Sequence, residues 1–343
     1  MNYPRYENVV LAGLARDEAP IIMESAEIEA RLGPTLERLK LPRGLLASLT
    51  GILRRRLYPL DFQPSQAAAR AAERLFAETG LDRQKVDLLY STSVCRDHIE
   101  PSTASIVQHR LDLGGRVKSL DIGSACLGFI DGLELAALSV ENGLAEQALV
   151  VAGENNHPIL AATIKRLLDP GGDRALFFRN FATLTLGSGG AAAVLGRREN
   201  FPGAPRLVAS VSRSDARSNH LCRGDALNME TDSAALMSAG VALARETFEL
   251  GRAEFGWTPQ SFDRLISHQV SAANTRKMCE SLGLDEGLLV RTFPDYGNIG
   301  PVAVPFTLHL AREKGLLPDR GRLLLMGIGS GLCCSLMELA WSS

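Results

Sequence analysis

Apolar residues follow two alternating patterns along this chain. Short apolar runs, typical of strands buried on both faces, occur at 86–90, 149–152, 264–266 and 323–326. Stretches with helical spacing of apolar residues predict helices at Pro64–Thr79, 127–140, 234–250 and 301–313. The helix over 127–140 is apolar on almost every face and should lie between layers. Strands that alternate with helices predict an α/β protein with largely parallel, buried sheets.

The alternating pattern occurs twice, because the two halves of the chain resemble each other. Segment 86–94 resembles 262–270, and 148–156 resembles 323–331, in each case 175 or 176 residues later. In each half, a turn that leads into an apolar helix lies between these two segments, at 120–126 in the first half and at 296–301 in the second. The repeat predicts a duplicated domain with halves at 1–185 and 186–343.

Two segments interrupt this pattern. Residues 157–180 and 201–228 are long, rich in Arg and loop-like, so we expect them to form a lid or to line an entrance.

Composition and charge exclude several classes of protein. The 343 residues are 45% hydrophobic, and 37 basic against 39 acidic residues give a net charge of −2, so no nucleic-acid footprint is evident. Six Cys are too few for a disulfide scaffold, and none has metal-ligand spacing with His. Gly187-Ser-Gly-Gly190 lacks the Lys of a phosphate loop, and no dinucleotide fingerprint occurs, so we expect no metal or cofactor. The N-terminus does not resemble a signal peptide, and no apolar run is long enough to span a membrane, so a cytoplasmic protein is expected.

One cysteine has the placement of a nucleophile. Ser124-Ala-Cys-Leu-Gly128 lies between a predicted strand and a predicted helix, which puts Cys126 at a helix N-terminus. The helix dipole and the free N–H groups there favour thiolate over thiol and can bind an oxyanion. The alternative, a small buried hydrophobic Cys, is equally compatible with the motif alone.

Two polar residues of the second half are candidate partners. His268 follows the strand at 264–266, and Asn298 lies in the turn Tyr296-Gly-Asn-Ile-Gly-Pro301. Taken singly, each is more simply a core histidine and a turn asparagine. The repeat strengthens both, since a pseudo-twofold axis would bring His268 and Asn298 close to Cys126.

These motifs, with a closing Gly327-Ile-Gly-Ser-Gly331, resemble those of the thiolase superfamily and, within it, the ketosynthase III-like condensing enzymes. The similarity extends over about 9–341. It implies a thiolase fold, in which two βαβαβ halves form five αβαβα layers. It also implies that Cys126, His268 and Asn298 are catalytic.

A further stretch, Thr92-Ser-Val-Cys-Arg-Asp-His-Ile-Glu-Pro-Ser-Thr-Ala-Ser105, is similar to the OleA-type enzymes, which condense two fatty acyl-CoA molecules head to head. Leu221-Cys-Arg-Gly224 and the segment 297–305 share this similarity. In that family a Glu of this loop reaches into the active site of the partner subunit, and Glu100 is the matching residue here. Cys333 departs from the pattern, in which Asn follows Gly-Ser-Gly-Leu.

The resemblance implies a homodimeric acyltransferase that makes a 2-alkyl-3-oxoacid by non-decarboxylating Claisen condensation. Cys126 would carry the first acyl group, and Glu100 of the partner would deprotonate Cα of the second thioester. His268 and Asn298 would donate hydrogen bonds to the enolate. The backbone N–H groups of Cys126 and Ser330 would form the oxyanion hole.

Several alternatives remain open at this point. The chain could be a decarboxylating 3-oxoacyl-[acyl-carrier-protein] synthase III, or a pyrone-forming ketosynthase that joins two β-ketoacyl chains. A non-catalytic partner subunit and a Cys-dependent hydrolase are weaker alternatives. The acyl carrier is either CoA or acyl carrier protein, and neither the acyl chain length nor the downstream pathway follows from the sequence.

Overall fold

A computed structural model of the chain describes residues 3–342. The strands are β1 Val9–Glu18, β2 Ile21–Glu24, β3 Arg54–Leu57, β4 Leu88–Ser91, β5 Lys118–Asp121, β6 Gln147–Glu154, β7 Gly189–Arg197, β8 Arg206–Ser214, β9 Cys222–Gly224, β10 Met229–Thr231, β11 Arg264–Ser267, β12 Arg320–Gly329 and β13 Cys333–Ser342. The helices are α1 Ser25–Arg31, α2 Gly33–Arg38, α3 Leu45–Thr50, α4 Pro64–Thr79, α5 Thr103–Arg110, α6 Gly128–Glu141, α7 His157–Leu167, α8 Arg174–Asn180, α9 Ser233–Phe255, α10 Ala272–Leu282, α11 Phe293–Tyr296 and α12 Ala303–Glu313.

Nine strands form one hydrogen-bonded ladder, which a single joining pair divides into two sheets. The first has the order β5-β4-β6-β7-β1 and the second β8-β13-β12-β11, and the two are joined by a single pair, Val10 with Arg206. Among the strand pairs of residues 3–342, only three are parallel, namely β4 with β5, β4 with β6, and β11 with β12. The prediction of largely parallel sheets is therefore wrong. One reason is the very short connection between β12 and β13, which permits only an antiparallel pair.

Alternate residues of each strand face different layers, because side chains on a strand point to opposite faces. In β6, Val150 packs into the central core with α6 and α12, whereas Leu149 and Val151 face α4 and α5. In β12, Leu325 joins the central core and Leu324 packs against α9 and α10. Helices therefore cover the outer face of each sheet, and α6 and α12 fill the space between the sheets. The predicted α/β thiolase fold with five αβαβα layers is confirmed.

Several predicted elements match the structure closely, whereas two segments that were predicted to be loops contain helices and strands. Helix α4 has the predicted bounds, and α6 begins one residue later than predicted, after a 3₁₀ turn. The loops expected at 157–180 and 201–228 instead contain α7, α8, β8 and β9, and β9 pairs with β10 just beyond residue 228. In α7, Leu160, Ile164 and Leu167 are buried with helical spacing, while its basic residues lie in the last turn and obscured that pattern.

The first sheet extends beyond residue 185. Strand β7 (Gly189–Arg197) pairs with both β1 and β6 and so belongs to this sheet. A helical cap formed by α1–α3, α7 and α8 has its own apolar core. Within 3–342, no helix is long and apolar enough to cross a membrane.

Candidate active site

Cys126 lies in a 3₁₀ turn, Ala125–Leu127, that leads directly into α6. Ala125 adopts a left-handed conformation with φ 47°, which reverses the chain after β5. The N–H groups of the first turn of α6 have no intrahelical acceptors, so Cys126 lies at a site that favours negative charge.

The end of β12 packs directly on this turn. A Cβ atom at Gly329 would lie 2.7 Å from the carbonyl oxygen of Ser124, so only glycine allows this approach. Ser330 follows immediately and is thereby brought next to the Cys126 turn. Cys333 lies beneath the same segment, since its Sγ is 3.9 Å from the Gly329 carbonyl oxygen and 4.0 Å from that of Ser330.

His268 and Asn298 are in direct contact. Nε2 of His268 lies 3.1 Å from Oδ1 of Asn298. Because an amide oxygen can only accept, Nε2 carries the proton. Burial lowers the pKa of His268 to about 4, so the imidazole is neutral at pH 7 and acts as a donor through Nε2–H.

Backbone contacts fix the Asn298 turn. The N–H of Asn298 donates to the Thr185 carbonyl over 2.9 Å, and its carbonyl accepts the N–H of Gly187 over 2.9 Å. A Cβ atom at Gly187 would lie 1.9 Å from the Tyr296 carbonyl oxygen, so glycine is required there. The N–H of Gly300 donates to Asn298 Oδ1 over 3.0 Å, which leaves the Nδ2 group of the side chain to donate.

The sequence-predicted residues of the two halves are thus brought to one place. The 3₁₀ turn Gly300–Val302, which follows Asn298, contacts the turn that holds Cys126. Strand β12 contacts that same turn and pairs with β11, which ends beside His268. The segments that hold Cys126, His268, Asn298 and Ser330 are therefore packed against one another.

The Cys126 thiol is held in its protonated form at rest. Burial, together with the charge of Glu154 and the nearby Cys222 and Cys333, raises its pKa to about 12. This corrects the expectation that the helix N-terminus alone makes Cys126 a thiolate, because desolvation outweighs the dipole in the unliganded pocket. The thiol must lose its proton during reaction.

Glu100 lies apart from this cluster, on the loop between β4 and α5. It is exposed, and among residues 3–342 its carboxylate has no hydrogen bond or ion pair. Large apolar side chains are exposed around it, with Ile99 94% and Val94 53% exposed. Leu120 of the sheet-edge strand β5 is 45% exposed. Within the described part of the chain, nothing covers the apolar side chains of Val94, Ile99 and Leu120.

Sequence reasoning missed Glu154 and the nearness of Cys222. Glu154 is the last residue of β6 and reads as an ordinary strand end, while Cys222 lies on the β9 strand of a segment read as loop. In the described part of the chain, one group of side chains has the spacing of metal ligands: Glu78, His309 and Glu313. Ion pairs to Arg16 and Arg74 already neutralise its carboxylates, so it is poorly suited to a cation.

The sequence matches the family 3-oxoacyl-[acyl-carrier-protein] synthase III over 120–216 and its C-terminal domain over 253–341. It is 40% identical to an acyl-CoA:acyl-CoA alkyltransferase of Xanthomonas campestris, over 98% of this chain and 99% of that protein. A protein of the same name from Shewanella oneidensis is 33% identical, over 98% of this chain and 100% of that one.

The structure is similar to cerulenin-bound OleA of Xanthomonas campestris, with a TM-score of 0.96, 40% identity and 98% of each chain covered. A Cys-to-Ser variant of that enzyme with bound lauric acid and lauroyl-CoA matches with the same TM-score and identity, over 98% of this chain and 100% of that one. Fold and pocket thus define a condensing enzyme of the thiolase superfamily. Within that class, the chain belongs to the OleA family of ketosynthase III-like acyltransferases.

Proposed function

We propose that this protein joins two fatty acyl-CoA thioesters by a non-decarboxylating Claisen condensation and releases a 2-alkyl-3-oxoacid. The observation that carries the proposal is that three of the four predicted catalytic residues lie together, whereas the fourth lies apart on an exposed loop. The turns that hold Cys126 and Asn298 are in contact and Asn298 contacts His268, while Glu100 lies on an exposed loop beside the open sheet edge. The names of the two alkyltransferase relatives support acyl-CoA as both substrates.

In the first step the Cys126 sulfur attacks the carbonyl of one acyl-CoA. The thiol proton is transferred to the departing CoA thiolate, which leaves a thioester on Cys126. The backbone N–H groups of Cys126 and Ser330 stabilise the oxyanion of the tetrahedral intermediate. Since the substrate is already an activated thioester, this step needs no cofactor.

In the second step Glu100 removes a proton from Cα of the second acyl-CoA. When the second substrate binds, His268 turns its Nε2–H from Asn298 Oδ1 to the enolate oxygen, and Asn298 Nδ2–H donates a second hydrogen bond to the same oxygen. The carbanion attacks the acyl group on Cys126 and expels the Cys126 thiolate, which gives a 2-alkyl-3-oxoacyl-CoA. Glu100 then releases the proton that it took from Cα, and the Cys126 thiolate takes up one proton, so both groups return to their resting forms. Water then cleaves this thioester to the 3-oxoacid and free CoA.

The proposal includes a homodimer in which Glu100 acts in the pocket of the partner. A second copy would cover the apolar side chains of Val94, Ile99 and Leu120 and would remove the Glu100 carboxylate from water. Desolvation strengthens a carboxylate as a base, as Cα deprotonation requires. All six cysteines are free, as expected for a protein of the reducing cytoplasm.

Removing either enolate donor should impair condensation more than acyl loading. We expect His268→Ala and Asn298→Ala each to lower the rate of carbon–carbon bond formation by roughly 10²–10³-fold, the usual effect of losing one preorganised donor. Single-turnover kinetics with pre-loaded enzyme separates the two steps. A variant that loads slowly but condenses its acyl group at the normal rate would contradict the assigned roles.

The function itself is tested by asking whether condensation requires a malonyl thioester. The purified protein is incubated with myristoyl-CoA alone, and its products are identified by mass spectrometry. We expect a condensed 3-oxoacid, or the ketone that it forms by losing carbon dioxide. Product formation only after a malonyl thioester is added would instead establish a decarboxylating ketosynthase III, and free myristate alone would indicate a hydrolase.

A further inference from the structure

A buried glutamine joins the end of β11 to a distant segment of the second half. Gln269 directly follows His268 and is 1% exposed. Its Nε2 donates to the carbonyl oxygen of Val290 over 2.7 Å. Its Oε1 accepts the N–H of Thr292 over 2.9 Å and that of Phe293 over 3.3 Å. One side-chain amide therefore holds three backbone groups of the segment that precedes α11.

The segment that Gln269 holds leads directly to Asn298. Phe293 begins the short helix α11, and its carbonyl oxygen accepts the N–H of Gly297 over 2.9 Å. Gly297, with φ 69°, then turns the chain into Asn298. Because Asn298 Oδ1 lies 3.1 Å from His268 Nε2, these contacts close a ring. His268 and Asn298 are joined once by their own hydrogen bond and a second time through Gln269 and α11.

Both sides of this ring are fixed to the rest of the fold. The N–H of His268 donates to the carbonyl oxygen of Met326 in β12 over 2.8 Å. On the other side, Thr292 Oγ1 lies 2.8 Å from Thr307 Oγ1 of α12, and both threonines are buried. Gln269 therefore connects two anchored parts of the structure, and its length determines how far apart they lie.

The chemistry of an amide suits this position. The amide of Gln269 both donates to a carbonyl oxygen and accepts from two N–H groups, which neither a carboxylate nor an apolar side chain of similar size can do. A buried polar group is costly unless it is hydrogen-bonded, and here all three bonds go to residues 290–293. The segment before α11 is thus held in a single position relative to β11.

We propose that Gln269 is a positioning residue that acts through His268 and Asn298, its amide setting the distance and the angle between the imidazole and the Asn298 side chain. Two donors stabilise one enolate oxygen best when both are held in place before the reaction. The consequence for condensation rests on the proposed function. The geometry of the His268–Asn298 pair can be measured without any acyl-CoA.

The first measurement is the ¹⁵N NMR spectrum of the His268 imidazole in the full-length protein at pH 7, labelled with ¹⁵N-histidine. The His268 signals are assigned by their loss in His268→Ala. In the wild type, the hydrogen bond to Asn298 keeps the proton on Nε2, so the two ring nitrogens should give well-separated signals. In Gln269→Met this bond is no longer held, both tautomers become populated, and the two signals should move toward each other. Unchanged His268 signals would overturn the proposal.

The second measurement separates a positioning role from a purely structural one. With pre-loaded enzyme, Gln269→Met should form the carbon–carbon bond roughly 10²-fold more slowly, which is the effect of a small misplacement of reacting groups. Its rate of acyl loading should stay close to that of the wild type, because loading uses neither enolate donor. An equal fall in both rates would show that Gln269 only stabilises the fold, and would overturn the proposal.

Gln147→Met is the matched control. Gln147 is another buried glutamine, but it is the first residue of β6, at the opposite end of that strand from Glu154. This variant should match the wild type in its His268 signals and in both rates. If Gln269→Met fails to fold, Gln269→Asn takes its place, since it keeps the amide but is one methylene too short to reach all three partners. The same changes are then expected, and the same outcomes would overturn the proposal.

The two measurements distinguish failure of this proposal from failure of the proposed function. A protein that condenses no acyl-CoA can still show His268 signals that depend on Gln269, and the positioning role then stands without the condensation. A competent condensing enzyme whose His268 signals are the same in Gln269→Met keeps the function, and the positioning role is then wrong.

Discussion

Glu100→Ala should form the Cys126 acyl-enzyme at close to the wild-type rate and yet make no condensation product. Acyl loading requires only the nucleophile and the oxyanion hole, whereas carbon–carbon bond formation requires removal of a proton from Cα, a weak carbon acid. Intact-mass analysis measures the adduct, and product analysis measures condensation. The trapped acyl group should then hydrolyse slowly.

The control is Glu37→Ala, which removes an exposed glutamate from α2, outside the pocket. It should retain both loading and condensation, as expected for a solvated surface residue, whose loss costs within about 0.5 kcal/mol of stability. Normal condensation by Glu100→Ala would contradict the assignment of Glu100 as the base and would favour a decarboxylating enzyme.

Action of Glu100 in the pocket of the partner subunit is tested by mixing two inactive variants. When Glu100→Ala and Cys126→Ala subunits are mixed and allowed to exchange, about half of the dimers are heterodimers. Each heterodimer has one pocket that combines an intact Cys126 with an intact Glu100 from the other chain. Recovered activity would support action in trans, and no recovery after verified exchange would count against it.

Cys126→Ser should lose the acyl adduct altogether. A serine hydroxyl is a weak nucleophile, and the neutral His268 donates its Nε2–H to Asn298 and is not oriented to accept a proton from residue 126. We expect acyl loading to fall roughly 10⁶-fold, the scale at which loss of a nucleophile is measured in another covalent enzyme. Intact-mass analysis after incubation with one acyl-CoA checks this directly.

Cys222→Ser is the matched control for this experiment. Cys222 is half-buried, lies near Cys126 and accepts a hydrogen bond from Thr231, so serine can replace it with little disturbance. This variant should still carry one adduct per chain. An equal adduct on Cys126→Ser would remove Cys126 from the mechanism.

The sequence was most informative where local pattern and internal repeat agreed. The bounds of α4 follow from its Ala-rich periodicity and its closing Gly80, and the burial of α6 follows from its lack of a polar face. The repeat was enough to suggest that Cys126, His268 and Asn298 come together, because equivalent turns of a duplicated domain are related by a pseudo-twofold axis. Glu100 could be singled out only by family resemblance.

Other features depend on tertiary contacts that local patterns do not contain. The chain continues the first sheet through β7 because Gly190 and its neighbours pair with both β1 and β6. Glu154 is an ordinary strand residue by its sequence context, and only the folded chain shows that its buried carboxylate accepts the N–H groups of Val94 and Cys95. The raised pKa of Cys126 likewise arises from burial by residues distant in sequence.

The central claim, condensation without loss of a carboxyl carbon before bond formation, is tested most directly with myristoyl-CoA labelled with ¹³C at C1. The account predicts a condensed 3-oxoacid that carries two labels, one at the ketone and one at the carboxyl carbon. The ketone formed from it should retain one label. A condensed 3-oxoacid with a single label, or the absence of any condensed product unless a malonyl donor is added, would contradict the account.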